Sequence, residues 1–406
     1  MKKLVCVVLG SIFIAAALVG GPFAVPSAAA APEAKTLKIG VVSWLGWPLG
    51  LNFATETRAL ADLINSRGGL AVGPDKYKIE LLVEDSKLSH DVARAAVEKL
   101  VYQNGVKFIV ADETVDAFLP VTEPRKVMVV AGTPSTTVFN PKYKYVFQGS
   151  AIQCQMQQIF GWYAKNYPDK RTQVFVAPDN KIGHLELEKM QSVAKTYGFK
   201  ILDTIFYPMQ QTDVSAIGTK VNSLNPDICT FDAGGPVKDG MLMKVTREGG
   251  YKGQFVFPNS SVAAMYLVSV PPEIIEGWIG GVYGIEMDNP PPAAKEFRDA
   301  YTAKTGKWDW PDTLFVNSWY LLLAGVQQSK SVDPEKVAAF VGKGMKFESA
   351  NGPCMTVARP DLGNSRAVDT IVAFAIKTVQ NGKPKQIYQP TLDEAYQLNK
   401  TFRGWK

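Results

Sequence analysis

Short apolar segments alternate with longer amphipathic ones along most of the chain. In residues 37–69, an apolar run of the kind that a buried parallel strand requires is followed by a loop at 43–50 and by an amphipathic segment that ends at two glycines. The pattern predicts a strand, a loop and a helix. Such a loop lies at the carboxyl end of its strand, where open α/β sheets bind their ligands. Trp44 and Trp47 are therefore candidate binding residues, the alternative being that they pack against the edge of their own domain.

The strand–helix unit recurs in two successive runs. In the first run, further strands are predicted at residues 77–83, 106–110 and 127–130, with a helix at 92–103. In the second run, strands are predicted at 173–176, 200–206, 227–231 and 254–257, with helices that include 153–165 and 185–197. Strands separated by helical segments of roughly 10–15 residues indicate right-handed βαβ units and parallel sheets. Two runs predict two such sheets, and hence two lobes.

The chain beyond the second run supplies helices rather than a third lobe. Helices are predicted over residues 292–301 and 312–328, and another begins at Asp333, an N-cap that is followed by proline. Because the first sheet lacks helices on one face, we expect the chain to return to it near Val282 and to leave it again near Asn351.

These patterns predict an α/β protein with two doubly wound parallel-sheet lobes joined by three crossovers. We expect residues 371–379 and a turn at Asn381-Gly382 to form a hairpin at the edge of the second lobe. The predicted boundaries are 1–31 for a signal peptide, 35–147 with 284–350 for the first lobe, and 148–283 with 351–406 for the second lobe.

The first residues predict export from the cytoplasm. Lys2 and Lys3 precede an apolar run at residues 4–21, and small residues follow at 27–31, a pattern typical of a cleavable secretory signal peptide. No later apolar segment is long and uncharged enough to span a bilayer. We therefore expect an exported protein that is not inserted in the membrane after processing. The formal net charge of +6 over 406 residues predicts neither nucleic acid nor a membrane surface as a partner.

Cysteine and histidine usage argues against a metal site. Beyond the leader, the cysteines are Cys154, Cys229 and Cys354, an odd number that allows at most one internal disulfide. Three buried free thiols are the alternative. Their spacing matches no zinc site, and a chain with only two histidines has no histidine-rich metal centre.

The sequence also lacks the motifs of common enzymes. It contains no G-x-S-x-G, H-E-x-x-H or G-x-x-x-x-G-K-[ST] segment, and no G-x-G-x-x-G after a predicted strand. Acids such as Asp112 and Asp232 fall at strand ends, where helix caps account for them as well as catalysis does. His184 opens a predicted helix, and we interpret it as a polar cap or a residue of a cleft wall rather than a general base. We expect no enzymatic activity and no cofactor.

Several segments resemble a known family over almost the whole chain beyond the leader. The stretches ALADLINSRGG, KIELLVEDSKLSHDVARAAVEKLV, VMVVAGTPSTT and AKEFRDAYTAKTGK are similar to the branched-chain amino-acid type of periplasmic binding protein. The resemblance implies a clamshell of two lobes with three hinge crossovers. It also implies capture of a solute, acting as a monomer, for the membrane subunits of an ABC transporter. A ligand-sensing role for a membrane receptor stays open.

The resemblance also implies which residues contact the ligand. In this family, hydroxyl or small residues after the third and fourth strands hold the ligand's acid group, and the matching positions are Thr114, Thr133, Pro134 and Ser135. The residue of the first loop that lines the pocket corresponds to Trp47 or Trp44. In the second lobe, Ile182 stands where an aromatic residue is frequent, and Asp232 follows a strand and faces the cleft or caps a helix.

One position bears on the class of ligand. Family members that bind α-amino acids carry an acid after the strand corresponding to 254–257, where this chain has Asn259 or Ser260. Neither side chain supplies a counter-charge for an ammonium group, although Asp232 or Glu113 can substitute. We therefore expect a small carboxylate or amide with an apolar or aromatic body. A branched-chain or other amino acid is the alternative.

Overall fold

A computed structural model describes residues 34–112, 114–133, 135–150, 154–260, 270–282, 284–309, 311 and 315–405. The strands are β1 Lys35–Ser43, β2 Leu70–Val72, β3 Asp75–Asp85, β4 Phe108–Ala111, β5 Met128–Ala131, β6 Val146–Gln148, β7 Thr172–Pro178, β8 Lys200–Tyr207, β9 Ile228–Phe231, β10 Gln254–Ser260, β11 Ile279–Val282, β12 Lys346–Ser349, β13 Gly352–Arg359, β14 Asn364–Val372, β15 Ala375–Gln380 and β16 Lys383–Tyr388. The helices are α1 Pro48–Ser66, α2 His90–Glu98, α3 Leu119–Thr122, α4 Gln155–Asn166, α5 Lys181–Tyr197, α6 Ser215–Leu224, α7 Pro236–Glu248, α8 Pro292–Thr305, α9 Val316–Ser329, α10 Pro334–Val341 and α11 Leu392–Arg403.

The first sheet has the strand order β2-β3-β1-β4-β5-β6 and is parallel apart from β2. Its central strands β4 and β5 read FIVA and MVVA and are buried throughout, as strands covered on both faces must be. Val42 pairs with Ala111, and Ala111 pairs with Ala131. The loops that follow β1, β4 and β5 therefore leave the same edge of the sheet.

The second sheet has the order β16-β15-β11-β10-β9-β7-β8. Strands β7 to β11 are parallel, and β15 joins β11 in an antiparallel sense. The hairpin of β15 and β16 turns at Asn381 and Gly382, whose φ angles are 53° and 69°, as a two-residue turn of the Asn-Gly type requires. The hairpin predicted at the sheet edge is confirmed.

The helices that follow β11 cover the first sheet. Helix α8 packs against α1, α9 against β4 and β5, and α10 against β5. Helix α10 begins as predicted, because Oδ1 of Asp333 accepts the amide hydrogen of Glu335 at 2.8 Å. The predicted fold of two parallel-sheet lobes is confirmed, while the residue boundaries of the lobes stay a prediction.

A three-stranded antiparallel sheet, β12-β13-β14, was not expected from the sequence. The predicted strand 371–379 is divided between β14 and β15, so the chain enters the second sheet only at Ala375. The reason is a set of polar residues in β14 that find distant partners. Thr370 donates its hydroxyl hydrogen to the carbonyl oxygen of Gln148 at 2.7 Å, and Asp369 binds two arginines.

Two further elements differ from the prediction. The helix expected at residues 92–103 is α2 followed by a π-helical turn at Lys99–Gln103. Cys154, Cys229 and Cys354 are buried and form no disulfide within the described residues, which confirms the alternative of three buried thiols. Burial raises the pKa of each thiol, in the case of Cys154 to about 12. The predicted signal peptide at 1–31 lies outside the described residues.

Candidate functional site

The loop after β1 is held in a closed shape by its own residues. The Ser43 hydroxyl donates to the carbonyl oxygen of Gly50 at 2.9 Å, and the amide of Leu45 donates to Oδ1 of Asp85 at 3.1 Å. A Cβ atom at Gly50 would lie 2.2 Å from the Trp44 carbonyl oxygen. Only glycine therefore allows the first turn of α1 to approach the loop this closely.

The two tryptophans of this loop stack on each other. The ring centroids of Trp44 and Trp47 are 5.6 Å apart, with 27° between the ring planes. Both side chains are partly exposed, and Trp47 also packs against the core. The loop thus presents an aromatic surface at the carboxyl edge of the first sheet.

A buried carboxylate stands beside the tryptophans. Asp112 follows β4, is 1% exposed, and accepts the amide hydrogen of Trp44 at 2.5 Å through Oδ2. Its Oδ1 and the Thr114 hydroxyl, which is also buried, have no hydrogen-bond partner among the residues described. Burial raises the pKa of Asp112 above its ordinary value, although the hydrogen bond from the Trp44 amide opposes the shift.

The loop after β5 uses its hydroxyl groups internally. Oγ1 of Thr133 accepts the amide hydrogen of Ser135 at 3.1 Å. The Ser135 hydroxyl donates to Oδ2 of Asp116 at 2.9 Å. The Gln148 side chain fixes the backbone of Thr133, accepting from its amide at 3.2 Å and donating to its carbonyl oxygen. One hydroxyl that the resemblance assigns to the ligand's acid group, that of Ser135, is therefore bonded to a carboxylate of the protein.

The corresponding edge of the second sheet is also acidic. Asp232 follows β9, is 3% exposed, and accepts the amide hydrogen of Ala233 at 2.8 Å. Its pKa lies well above the ordinary value because burial disfavours the charged form, and because Glu186 and Asp239 add negative charge nearby. Glu186 in turn binds Lys189 at 2.6 Å.

Two further candidates of the second lobe, Ile182 and His184, lie in the first turn of α5. The Ile182 side chain is 48% exposed. Nε2 of His184 lies 2.9 Å from Oδ1 of Asp179, and its ring packs on Phe206 with centroids 4.2 Å apart. His184 is thus a partner in an exposed pair at the start of a helix, the position that the sequence predicted for it.

The structure does not describe every predicted site residue. Glu113 and Pro134 lie outside the described residues. Asn259 and Ser260 are described only in their backbone, at the end of β10. Trp44, Trp47, Thr114, Thr133 and Ser135 are brought to one edge of the first sheet, whereas Ile182, His184 and Asp232 follow strands of the second sheet.

Three polar residues near these edges were not among the predicted site residues. Asp116 contacts Ser135, and the Tyr207 hydroxyl and Oδ1 of Asp239 would both lie 2.4 Å from a Cβ atom at Gly234. The acid-rich segment 112–116 was a visible signal for Asp116. Tyr207 ends an apolar strand and Asp239 lies within a helix, so neither is distinguished by its local sequence.

A family model described as periplasmic binding protein matches residues 36–378. The chain belongs to this family. The resemblance found in the sequence is thereby confirmed, and with it the capture of a small solute as the function of this class of protein. A search of curated proteins finds none with significant similarity to this chain.

Solved structures of other periplasmic binding proteins share the fold. A leucine-binding protein from Thermotoga maritima is 19% identical, with a TM-score of 0.64 over 88% of this chain and 99% of that one. A solute-binding protein of an ABC transporter from R. palustris, in complex with benzoate, is 16% identical, with a TM-score of 0.65 over 87% and 96%. A branched-chain amino acid binding protein from Streptococcus pneumoniae, in complex with isoleucine, is 18% identical, with a TM-score of 0.67 over 88% and 100%.

Proposed function

We propose that this periplasmic binding protein captures a small organic solute between its two sheets and delivers it to the membrane subunits of an ABC importer. The observation that carries the proposal is the edge of the first sheet. There, a stacked tryptophan pair stands beside buried oxygen atoms of Asp112 and Thr114 that lack hydrogen-bond partners in the described structure. Buried polar groups of proteins are normally paired, so a ligand is the natural partner for these atoms.

Exposed apolar side chains support closure over the solute. Leu51 of α1, Ile182 of α5 and Val237 of α7 are 48%, 48% and 70% exposed. Each lies near the start of a helix that follows the carboxyl end of a sheet strand. Closing the two lobes would remove apolar surface of this kind from water, which favours the closed state once the solute fills the remaining space.

The solute in this proposal has an apolar or aromatic body and a carboxylate or amide head group. The tryptophan pair suits such a body, and a relative of the same fold is in complex with benzoate. An amino acid is the second candidate, because another relative is in complex with isoleucine and Asp232 is an acid at the edge of the second sheet. In either case the protein releases the solute without changing it chemically.

The proposal includes export and action as a monomer. The leader at residues 1–31 supports release into the periplasm. In the part of the chain that the structure describes, no helix combines the length and the apolar character needed to cross a bilayer.

A thermal-shift screen of the mature chain tests the function. Amino acids, aromatic and aliphatic carboxylates and amides are added singly, and a solute at a hundred times its Kd is expected to stabilise the native state by about 2.7 kcal/mol. Mass spectrometry of the recovered solute then separates binding from catalysis. If no solute raises the melting temperature, or if the solute is converted, the proposed function is wrong.

A further inference from the structure

Two carboxylates at the edge of the first sheet have no cationic partner among the described residues. Asp112 is 1% exposed and accepts the Trp44 amide hydrogen through Oδ2, and Asp116 accepts the Ser135 hydroxyl hydrogen through Oδ2. Neither forms an ion pair with a lysine, arginine or histidine of the described structure, although ion pairs are frequent elsewhere on the molecule. The edge therefore carries two acidic groups that no described cationic side chain pairs with.

The unused hydrogen-bonding capacity at this edge is mostly that of acceptors. Oδ1 of Asp112 and Oδ1 of Asp116 are buried and have no partner within the described ranges, and the same holds for the hydroxyl of Thr114. Carboxylate oxygens only accept hydrogen bonds when ionised. A buried acceptor without a donor costs free energy, so the group that completes this edge must donate hydrogen.

Two of the donors that would hold an acid group are committed elsewhere. The Ser135 hydroxyl is directed to Asp116 at 2.9 Å, and the Ser135 amide is directed to Oγ1 of Thr133 at 3.1 Å. A ligand carboxylate placed here would face two carboxylates of the protein, and like charges in a poorly solvated site repel strongly. The stacked rings of Trp44 and Trp47, in contrast, offer π-faces that attract cations.

We propose that the head group received by the first lobe is a nitrogen that donates hydrogen bonds, in an ammonium, amidinium or amide group, and not a carboxylate. This inference rests on the proposed function and revises its head group from a carboxylate or amide to a nitrogen that donates hydrogen bonds. The nitrogen donates to Oδ1 of Asp112 and Oδ1 of Asp116, while the body of the solute lies against the tryptophan pair. The Thr114 hydroxyl then accepts from or donates to the same solute.

A series of ligands with one shape and three charges tests the head group. Benzoate, benzamide and benzamidine each carry a planar head of two heteroatoms on the same ring, and they differ in charge and in the number of donors. We expect the amide or the amidinium to bind at least tenfold more tightly than the carboxylate in titration calorimetry. The same comparison is made with the phenylacetic and isobutyric series, which vary the body. If the carboxylate is the tightest-binding member of every series that shows binding, the inference is wrong.

Matched substitutions locate the effect at the two acids. Asp112→Asn and Asp116→Asn keep the shape of the side chain and one acceptor oxygen but remove the charge. Each is expected to raise the Kd of the nitrogen-bearing solute at least tenfold. Asp62→Asn is the control, because Asp62 pairs with Lys304 on the surface at the far end of α1 and its substitution should leave Kd unchanged. The melting temperature of each variant without solute shows that it is folded.

The outcomes separate this inference from the proposed function. A carboxylate solute that binds tightly and keeps its affinity in both Asn variants overturns the inference and leaves solute capture intact. A rise in melting temperature produced by calcium or magnesium alone also overturns the inference, because the two acids then bind a metal ion. If no solute of any class binds, the proposed function is wrong and the inference falls with it.

Discussion

The backbone amide of Trp44 donates a hydrogen bond to Oδ2 of Asp112 at 2.5 Å. This bond joins the loop after β1 to the end of β4, so the position of the tryptophan pair depends on a carboxylate from a neighbouring strand. Asp112 is buried, whereas Trp44 and Trp47 are partly exposed. The backbone of the loop is therefore anchored to a buried group while both rings remain accessible to solvent. This arrangement supports the ligand-binding role proposed above for the tryptophan pair.

Replacement of Trp47 by alanine should weaken solute binding by roughly 1.5–3 kcal/mol, the scale of removing a large apolar side chain from a buried contact. Trp44→Ala should have a similar effect, because the two rings stack. Titration calorimetry with a solute from the thermal-shift screen measures both. The double substitution should show a coupling of about 0.5–1.5 kcal/mol, as expected for an aromatic pair.

A lowered melting temperature alone would contradict this prediction. Trp47 also packs against the core, so some loss of stability is expected in Trp47→Ala. If both single variants lose stability but keep their affinity, the tryptophans only pack against their own lobe. Trp47→Phe is the matched control, since it retains an aromatic ring and should keep most of the affinity.

The stability of the protein should depend on the charge of Asp232. Its pKa is raised well above 3.8 in the folded state, so the folded protein holds this proton more tightly than the unfolded chain does. The contribution to the free energy of unfolding is complete below pH 3.8 and is lost as the pH rises through the folded pKa. Asp232→Asn should therefore raise the melting temperature relative to wild type at pH 8 and change it little near pH 4.

Thermal denaturation of the wild-type protein and of Asp232→Asn across this pH range checks the sign of the difference in melting temperature. The asparagine side chain can still accept the amide hydrogen of Ala233, so the comparison isolates the charge. A difference in melting temperature that is constant with pH, or a variant that is less stable at pH 8, would show that Asp232 is not held in a destabilising environment.

Much of the fold follows from local signals in the sequence. The runs FIVA and MVVA predicted buried strands, the Asn381-Gly382 pair predicted a hairpin turn, and Asp333 before a proline predicted a helix start. Each of these signals acts within a few residues of the chain. The sheet of β12, β13 and β14 was missed because its polar strand β14 is stabilised by partners far away in sequence.

The candidate site also has a part that local sequence predicts and a part that it does not. The tryptophan loop was predictable, because a loop after an apolar strand lies at the binding edge of a sheet. The contact between Asp116 and Ser135 was not, since it depends on how two loops from neighbouring strands meet across 19 residues of sequence. The sequence displayed both an acid-rich segment and a row of hydroxyl residues, but only the structure shows that they bind each other.

Asp369 should be among the residues on which stability depends most. Its Oδ2 lies 3.2 Å from Nη1 of Arg359 and 2.7 Å from Nη1 of Arg403, and all three side chains are nearly inaccessible to water. Asp369→Asn removes the negative charge that Arg359 and Arg403 share, leaving Arg359 with Asp361, and should lower the free energy of unfolding by about 3–5 kcal/mol. Urea denaturation measures the change.

Asp299→Asn is the matched control for that substitution. Asp299 pairs with Arg298 at 3.0 Å but is 70% exposed, and exposed ion pairs contribute less than about 1 kcal/mol. A loss at Asp369 no larger than the loss at Asp299 would show that the arginines find other partners. Neither substitution is expected to alter Kd for the solute.

Solute binding should make the protein more compact. We expect the lobes to close about hinges near Gly149, Val282 and Asn351, which lowers the radius of gyration in small-angle scattering when the solute is added. Gly149 offers a way to test one hinge, because a Cβ atom there would lie 2.5 Å from Cα of Ser318 in α9. Gly149→Ala should therefore cost about 1–3 kcal/mol of stability through overpacking.

The same substitution should change how far the solute compacts the protein, because it separates the end of β6 from α9. Gly198→Ala is the control for the loss of a glycine. No atom of the described residues lies within 4 Å of its Cβ position, and its φ of 75° imposes a backbone cost without a contact between segments. That variant should lose stability but close as the wild type does. A radius of gyration that does not change on binding in the wild-type protein would remove closure from the mechanism and leave the fold and the binding site as they are.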